Sequence, residues 1–141
     1  GHGGGLIRIE ALDLHLAGTL NANSKLNRGF SGGGAGGGIS LVCRNFSSAQ
    51  GAQLLAAGSG AEKNTCGDGG GGRIAVIYGE VYSPALHHSR LEVWEDVPKE
   101  FELEATAARG TGGYTDSDPS EDGTIRFVRV LPAPGTVLMV R

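Results

Sequence analysis

The protein has 141 residues and a formal net charge of −3, and 26 of its residues are glycine. This share is more than twice the usual ~7%. Only five residues are proline and the glycines keep no strict three-residue period, so a collagen triple helix is excluded. The 12 basic residues are scattered along the chain, which argues against nucleic acid as a partner. No apolar run reaches the ~18 residues of a membrane helix, so we expect no membrane insertion.

Glycine clusters recur along the chain, and each is followed by a run in which apolar residues alternate with polar or small ones. The clusters occupy residues 3–5, 32–38, 69–72 and, more loosely, 110–113. The leading apolar residues of the runs are Ile7, Ile39, Ile74 and Ile125, in steps of 32, 35 and 51 residues. Alternation with a period of two predicts strands that have one face in a core.

A second series of short apolar runs keeps nearly the same step. It contains Leu20, Leu54 and Leu103, separated by 34 and 49 residues. Two series with one step predict a single repeated supersecondary unit. The last step is longer in both series, which places an insertion at about residues 80–99.

A third alternation, at Leu12, Leu14 and Leu16, is out of phase by one residue with Ile7 and Ile9. A one-residue shift moves the apolar side chains to the other face of a strand. The pattern therefore predicts a corner near Ala11 and Leu12.

No segment has the apolar spacing of an amphipathic helix, so the fold class that we expect is all-β. The repeats predict a glycine-rich β-solenoid, or β-helix, of about three coils in a single domain over residues 1–141, with the insertion as a loop or hairpin. Stacked coils bury apolar faces that one coil leaves exposed. We expect the chain to be a fragment or subunit of a larger assembly.

The glycine clusters have two interpretations. They are either ordered, at corners and at places of close backbone approach, or flexible linkers. Their recurrence in step with the strands favours order. The two cysteines, Cys43 and Cys66, also have two interpretations. Either they form one disulfide bond, or Cys43 is a small core residue and Cys66 is a loop thiol.

Residues 69–78, which read Gly-Gly-Gly-Gly-Arg-Ile-Ala-Val-Ile-Tyr, resemble the GGGGRIAIYY signature of large glycine-rich repeat proteins of bacterial cell surfaces and of related plant extracellular proteins. Residues 18–23 are similar to the GTISANGG segment of that repeat. Residues 107–113 and 123–125 are similar to its ARGGTGG and GTI segments. The resemblance implies an extracellular or cell-surface β-solenoid and brings no catalytic residues with it.

An acidic segment at residues 116–123 is a candidate calcium site, since calcium prefers closely spaced oxygen ligands. Its candidate ligands are Asp116, Asp118, Glu121 and Asp122. The alternative is a solvated acidic turn between strands. Calcium is the one cofactor that the sequence suggests.

Aromatic residues gather at the insertion, where Tyr78, Tyr82 and Trp94 are candidates for contact with sugar rings or with a protein partner. The alternative is that Trp94 folds the insertion back onto the repeats. Glu102 and Glu104 share one strand face, as a glycosidase pair would require. A solvated polar face explains the same spacing.

These observations predict a non-enzymatic structural or adhesive module. Its expected partners are further copies of itself, in an end-to-end filament or cell-surface layer, or neighbouring repeats, with surface glycans as a further candidate. The alternative function is that of a carbohydrate-binding or polysaccharide-cleaving β-helix domain.

Overall fold

The computed structural model describes residues 1–26, 31–61, 66–82, 89–112, 120–132 and 134–135. These residues form eight strands and no helix, so the all-β prediction is confirmed for the described part of the chain. In chain order the strands are β1 (Leu6–Leu16), β2 (Thr19–Asn21), β3 (Gly38–Ser48), β4 (Ala52–Leu55), β5 (Arg73–Gly79), β6 (Arg90–Trp94), β7 (Leu103–Thr106) and β8 (Thr124–Leu131).

The strands form two sheets, one with the order β1-β3-β5-β8-β6 and one with the order β2-β4-β7. Every neighbouring pair is parallel except β6 and β8, which are antiparallel. The first three glycine runs each lead into a strand of the larger sheet, and the chain then continues to a strand of the smaller one. We call residues 1–26, 31–61 and 66–112 the first, second and third units; β8 follows the third.

The register of the larger sheet follows the sequence repeat. Ile7 pairs with Ile39, Ile39 with Ile74, and Ile74 with Ile125, which confirms the steps of 32, 35 and 51 residues. In the smaller sheet Leu54 pairs with Ala105, whereas Leu103 pairs with Ala52, so the predicted alignment of Leu54 with Leu103 was wrong by two residues. A slip of two residues keeps the same side chains facing inward, so the apolar pattern alone did not reveal it.

The corner predicted near Ala11 and Leu12 is present within β1. Leu12 and Asp13 are both exposed, and the inward parity changes from Ile7 and Ile9 to Leu14. Leu12 itself is 64% exposed, so its predicted place on the apolar face with Leu14 was wrong. Because strand β3 changes parity in the same register, the corner repeats from one unit to the next.

The core lies between the two sheets. The larger sheet contributes the buried side chains of Ile39, Leu41, Cys43, Ile74, Val76 and Phe127. The smaller sheet and the residues after it contribute those of Ala52, Leu54, Ala56, Leu103 and Ala107. Among the described residues no disulfide joins Cys43 to Cys66, and the Cys43 side chain is fully buried in the core.

The glycine runs are ordered and in step with the strands. Their backbones are linked from unit to unit by equivalent hydrogen bonds: Gly4 N to Ala35 O (2.9 Å), Gly36 N to Gly70 O (2.9 Å) and Gly71 N to Glu121 O (2.9 Å). This repetition favours the ordered interpretation over that of flexible linkers.

A second backbone layer packs directly on the glycine runs. It consists of the residues that follow the smaller sheet, and it accepts hydrogen bonds from Gly37 to Ala22 O (2.8 Å), from Gly72 to Ala56 O (2.8 Å) and from Gly123 to Ala107 O (2.7 Å). A Cβ atom at Gly36 would lie 2.0 Å from Ala56 O, so a side chain does not fit between the layers. Among the described residues, no glycine in runs 1–5, 32–38 or 67–72 has a positive φ. Close approach is therefore what requires glycine here.

Candidate functional site

Strand β1 is the outer strand of the larger sheet at the first unit, and its inward face is incompletely covered. Ile7, Ile9 and Leu14 are only partly buried, whereas their counterparts in β3 are buried; these are Ile39, Leu41 and Phe46. Leu6 is 75% exposed at the start of the strand. The first unit therefore has the side-chain pattern of a unit that lacks one of its two neighbours.

The backbone of β1 also has an unpaired side within the described structure. The carbonyl of Gly5 accepts from Gly38 N at 2.9 Å, so alternate residues, including Ile7 and Ile9, direct their backbone groups toward β3. The intervening residues Arg8 and Glu10 direct theirs away from the sheet. An outer strand of this kind is a template for another strand.

The opposite end of the larger sheet is covered by the insertion. Strand β6 lies within it and pairs with β8 from Arg90 to Trp94. Trp94 is opposite Phe127 in the register, is partly buried and packs against the core. The insertion thus contributes a sheet strand, and the packing of Trp94 agrees with its folding back onto the repeats.

A polar cleft of about 400 Å³ lies at the corner between the larger sheet and the insertion. Its charged lining side chains are those of Arg44, Glu80, Glu100 and Arg129. Arg44 Nη2 lies 3.4 Å from Glu80 Oε1. Two cationic and two anionic side chains line this cleft, so it offers polar contacts without a strong net charge.

Tyr78 forms part of the floor of this cleft. Its ring is buried, and its Oη donates to Glu100 Oε1 at 3.1 Å. Burial raises the pKa of Tyr78 well above its usual range, and the negative charge and hydrogen bond of Glu100 raise it further. The hydroxyl therefore stays protonated and acts as a donor at neutral pH.

The three aromatic candidates for ligand contact do not share one surface. Tyr78 is only 7% exposed, and Trp94 is packed against the core. Tyr82 is 52% exposed, and its Oη donates to Ala11 O at 3.3 Å. The structure therefore does not form these three side chains into a platform for a sugar ring.

Sequence reasoning missed that the aromatic residues form a core cluster. Phe101 lies at its centre, with ring centroids 4.9 Å from Phe46, 5.4 Å from Tyr78 and 5.9 Å from Phe127. The inward position of Phe127 could be read from its alternation with Ile125. That of Phe46 was hidden because the corner changes the parity of β3.

Two of the four candidate calcium ligands, Asp116 and Asp118, lie outside the described residues. Glu121 and Asp122 are exposed, and Asp122 Oδ1 accepts a hydrogen bond from Arg109 N at 2.9 Å. Among the described residues no three His, Cys, Asp or Glu side chains lie close enough together to hold a metal ion.

The exposed face of the smaller sheet carries a polar ladder. Thr19 Oγ1 donates to Gln53 Oε1 at 3.3 Å, and Gln53 Nε2 is 3.4 Å from Glu104 Oε2. These residues are paired in the sheet register, and Glu102 is exposed nearby. The contact of Glu104 with Gln53 agrees with a solvated polar face, along which side chains of successive units contact one another.

Comparison with protein families, with curated proteins and with solved structures gave no match. The likeness of residues 69–78 to a glycine-rich repeat thus stays a prediction. The described residues include no helix long and apolar enough to cross a membrane.

Proposed function

We propose that the protein is a non-enzymatic, structural module of an extracellular β-solenoid, in which each unit forms one coil. The observation that carries this proposal is the equal register of the three successive parallel interfaces, β1 with β3, β3 with β5 and β5 with β8. In a solenoid each coil is stabilised mainly by its neighbours. The resemblance of residues 69–78 to surface repeats supports the extracellular location.

The open edge of β1 is the surface through which the module joins further coils. The outward backbone groups of Arg8 and Glu10 correspond in register to those of Ser40 and Val42, which β3 directs toward β1, and the side chains of Ile7 and Ile9 are partly buried. A coil added there would bury these side chains as Ile39 and Leu41 are buried in the second unit. The module would thereby extend a rigid array.

Carbohydrate binding is the second candidate function, and the polar cleft favours it. Arg44, Glu80 and Glu100 place donors and acceptors around a cavity large enough for a sugar ring. The aromatic side chains give it less support, since Tyr78 presents only its hydroxyl there. The structural role in a stack of coils is therefore the better supported of the two candidate functions.

Adding one coil tests the structural proposal. The step from Ile39 to Ile74 is 35 residues, so a second copy of residues 33–67 placed before Gly1 supplies one complete coil in the correct phase. We expect a higher melting temperature and slower hydrogen exchange of the outward amides of Arg8 and Glu10, because the new coil pairs with β1. The matched control carries a glycine-serine linker of the same length.

Exchange of the Arg8 and Glu10 amides that is as fast in the extended protein as in the linker control would contradict the proposal. A rise in melting temperature of equal size with the linker would contradict it as well.

A further inference from the structure

The two ends of the larger sheet differ, and the difference indicates which partner stacks on this module. The inference drawn from it rests on the proposed function. At one end, β1 has a side that no other described strand covers. At the other end β6 pairs with β8 over five residue pairs, Arg90 with Leu131 through Trp94 with Phe127. These pairs are antiparallel, whereas all other pairs in the sheet are parallel.

Strand β6 occupies the backbone groups that a following coil would use. Thr124 N donates to Gly72 O at 3.0 Å, and Val130 O accepts from Glu80 N at 2.9 Å, so the even-numbered residues of β8 are bonded on the β5 side. Phe127 and Arg129 direct their backbone groups to the other side, where β6 lies. A parallel strand from another chain cannot take this position while β6 remains.

Side chains of the insertion, and that of Phe101 just after it, cover the same end of the core. Trp94, Val97 and Phe101 are partly buried against it, and Phe127 is completely buried although β8 is followed by no further parallel strand in the described structure. In the first unit the equivalent residue, Ile9, is only partly buried. Phe127 is therefore more deeply buried than Ile9, because the insertion covers it as a neighbouring coil would.

We infer that β6 is a capping strand that prevents head-to-tail stacking of two copies of this chain. The β1 edge therefore receives a parallel glycine-rich coil whose own edge is uncovered, and it does not receive the β8 end of a second copy. The partner is a coil because all three existing interfaces are parallel and continue into the glycine ladder of Gly4 with Ala35. Two copies meeting through their β1 strands about a two-fold axis would be antiparallel and would not continue that ladder.

Two proline variants of β6 form a matched pair for the test. Glu92 pairs with Arg129, whose backbone groups point toward β6, so Glu92→Pro removes an amide from the β6–β8 ladder. Val93 directs its amide to the outer side, so Val93→Pro leaves the ladder hydrogen bonds in place. Sedimentation velocity over a wide concentration range reports the assembly state of each variant and of the unmodified protein.

We expect the unmodified protein and Val93→Pro to sediment as monomers and Glu92→Pro to shift to higher oligomers. Adding Arg8→Pro to Glu92→Pro should restore the monomer, because proline at this position removes an outward amide from the β1 edge. An unmodified protein that forms open-ended oligomers would overturn the capping role. A closed dimer of the unmodified protein that Arg8→Pro dissociates would overturn the identity of the partner.

A second variant covers the case in which Glu92→Pro does not fold. Ala52 is paired with Leu103, and Cys43 with Tyr78, so residues 79–102 correspond to residues 44–51 of the second unit. Replacing residues 79–102 by a copy of residues 44–51 removes the cap and keeps a turn that the chain already uses.

This cap-free variant is expected to form elongated oligomers that Arg8→Pro suppresses. If it keeps its β-sheet circular dichroism and remains monomeric, the capping inference fails. The proposed function fails separately, if the added coil leaves the β1 amides unprotected.

Discussion

On the sheet side of the molecule neighbouring units bury side chains against one another, whereas on the glycine side only backbone meets backbone. Ile39, Leu41 and Leu54 represent the first kind of interface, which is stabilised by removal of apolar area from water. Gly36 and Ala56 represent the second, which is stabilised by hydrogen bonds and by van der Waals contact at short range.

The difference shows that the same repeat places opposite demands on its residues. The sheet side requires large apolar side chains and tolerates exchanges of similar volume. The glycine side requires the absence of a side chain.

Substitution of Gly36 by alanine should destabilise the protein by more than about 3 kcal/mol. The added Cβ would lie 2.0 Å from Ala56 O and 2.6 Å from Gly72 N, and both are backbone atoms that move only with their units. The matched control is Gly5→Ala, since a Cβ at Gly5 meets no atom within 4 Å. Urea unfolding followed by circular dichroism measures both.

The sign of the Gly36→Ala result decides between the two interpretations of the glycine runs. In a flexible linker, alanine would be neutral or would stabilise by about 0.4–1 kcal/mol, because it restricts the unfolded chain. A stabilised Gly36→Ala variant would therefore contradict the packed backbone layer.

Substitution of Leu54 by alanine should cost about 3 kcal/mol, because it removes a completely buried side chain from the centre of the smaller sheet. Leu12→Ala is the matched control and should change the free energy of unfolding by less than about 0.5 kcal/mol, since Leu12 is largely exposed. Equal losses for the two variants, measured by urea unfolding, would show that the apolar core does not lie between the two sheets.

The smallest expected effect is an alkaline loss of stability that depends on Cys43. Burial, together with a smaller contribution from the negative charge of Asp13, raises the pKa of this thiol from its usual 9.0 to about 11. The folded state therefore favours the neutral thiol. This contribution is complete below pH 9 and is lost as the pH rises from 9 to 11.

The test compares the free energy of unfolding of the unmodified protein with that of Cys43→Ala at a series of pH values. The difference between them should be constant up to about pH 9 and then shrink toward pH 11. Tyr78 is present in both proteins, so its own alkaline titration cancels. A difference that stays constant to pH 11 would mean that the Cys43 thiol is not desolvated in the folded state.

The sequence predicted the parts of this fold that depend on alternation and spacing. The four isoleucines from Ile7 to Ile125 gave the register of the larger sheet because each leads an inward-facing run after a glycine cluster. Alternation did not fix the register of Leu103, since a shift by two residues leaves the inward face unchanged.

The candidate sites were less predictable because they depend on contacts between distant residues. Strand β6 is a short run, Arg-Leu-Glu-Val-Trp, whose pairing with β8 no repeat position indicated. The cleft joins Arg44 to Glu80 and Glu100 across the corner, and none of these residues belongs to a motif. Tyr78, a candidate for ligand contact, is buried in the core.

The chain takes eight residues to pass from Cys43 to Ala52 and many more to pass from Tyr78 to Leu103, yet both pairs of positions are in register. The segment that connects the larger sheet to the smaller one therefore accepts additional sequence without a change in the alignment of the units. A protein built in this way can acquire a new surface loop, cap or binding element by lengthening one connecting segment while the rest of the array keeps its geometry. This connecting segment is accordingly the position at which foreign segments can be grafted into this scaffold.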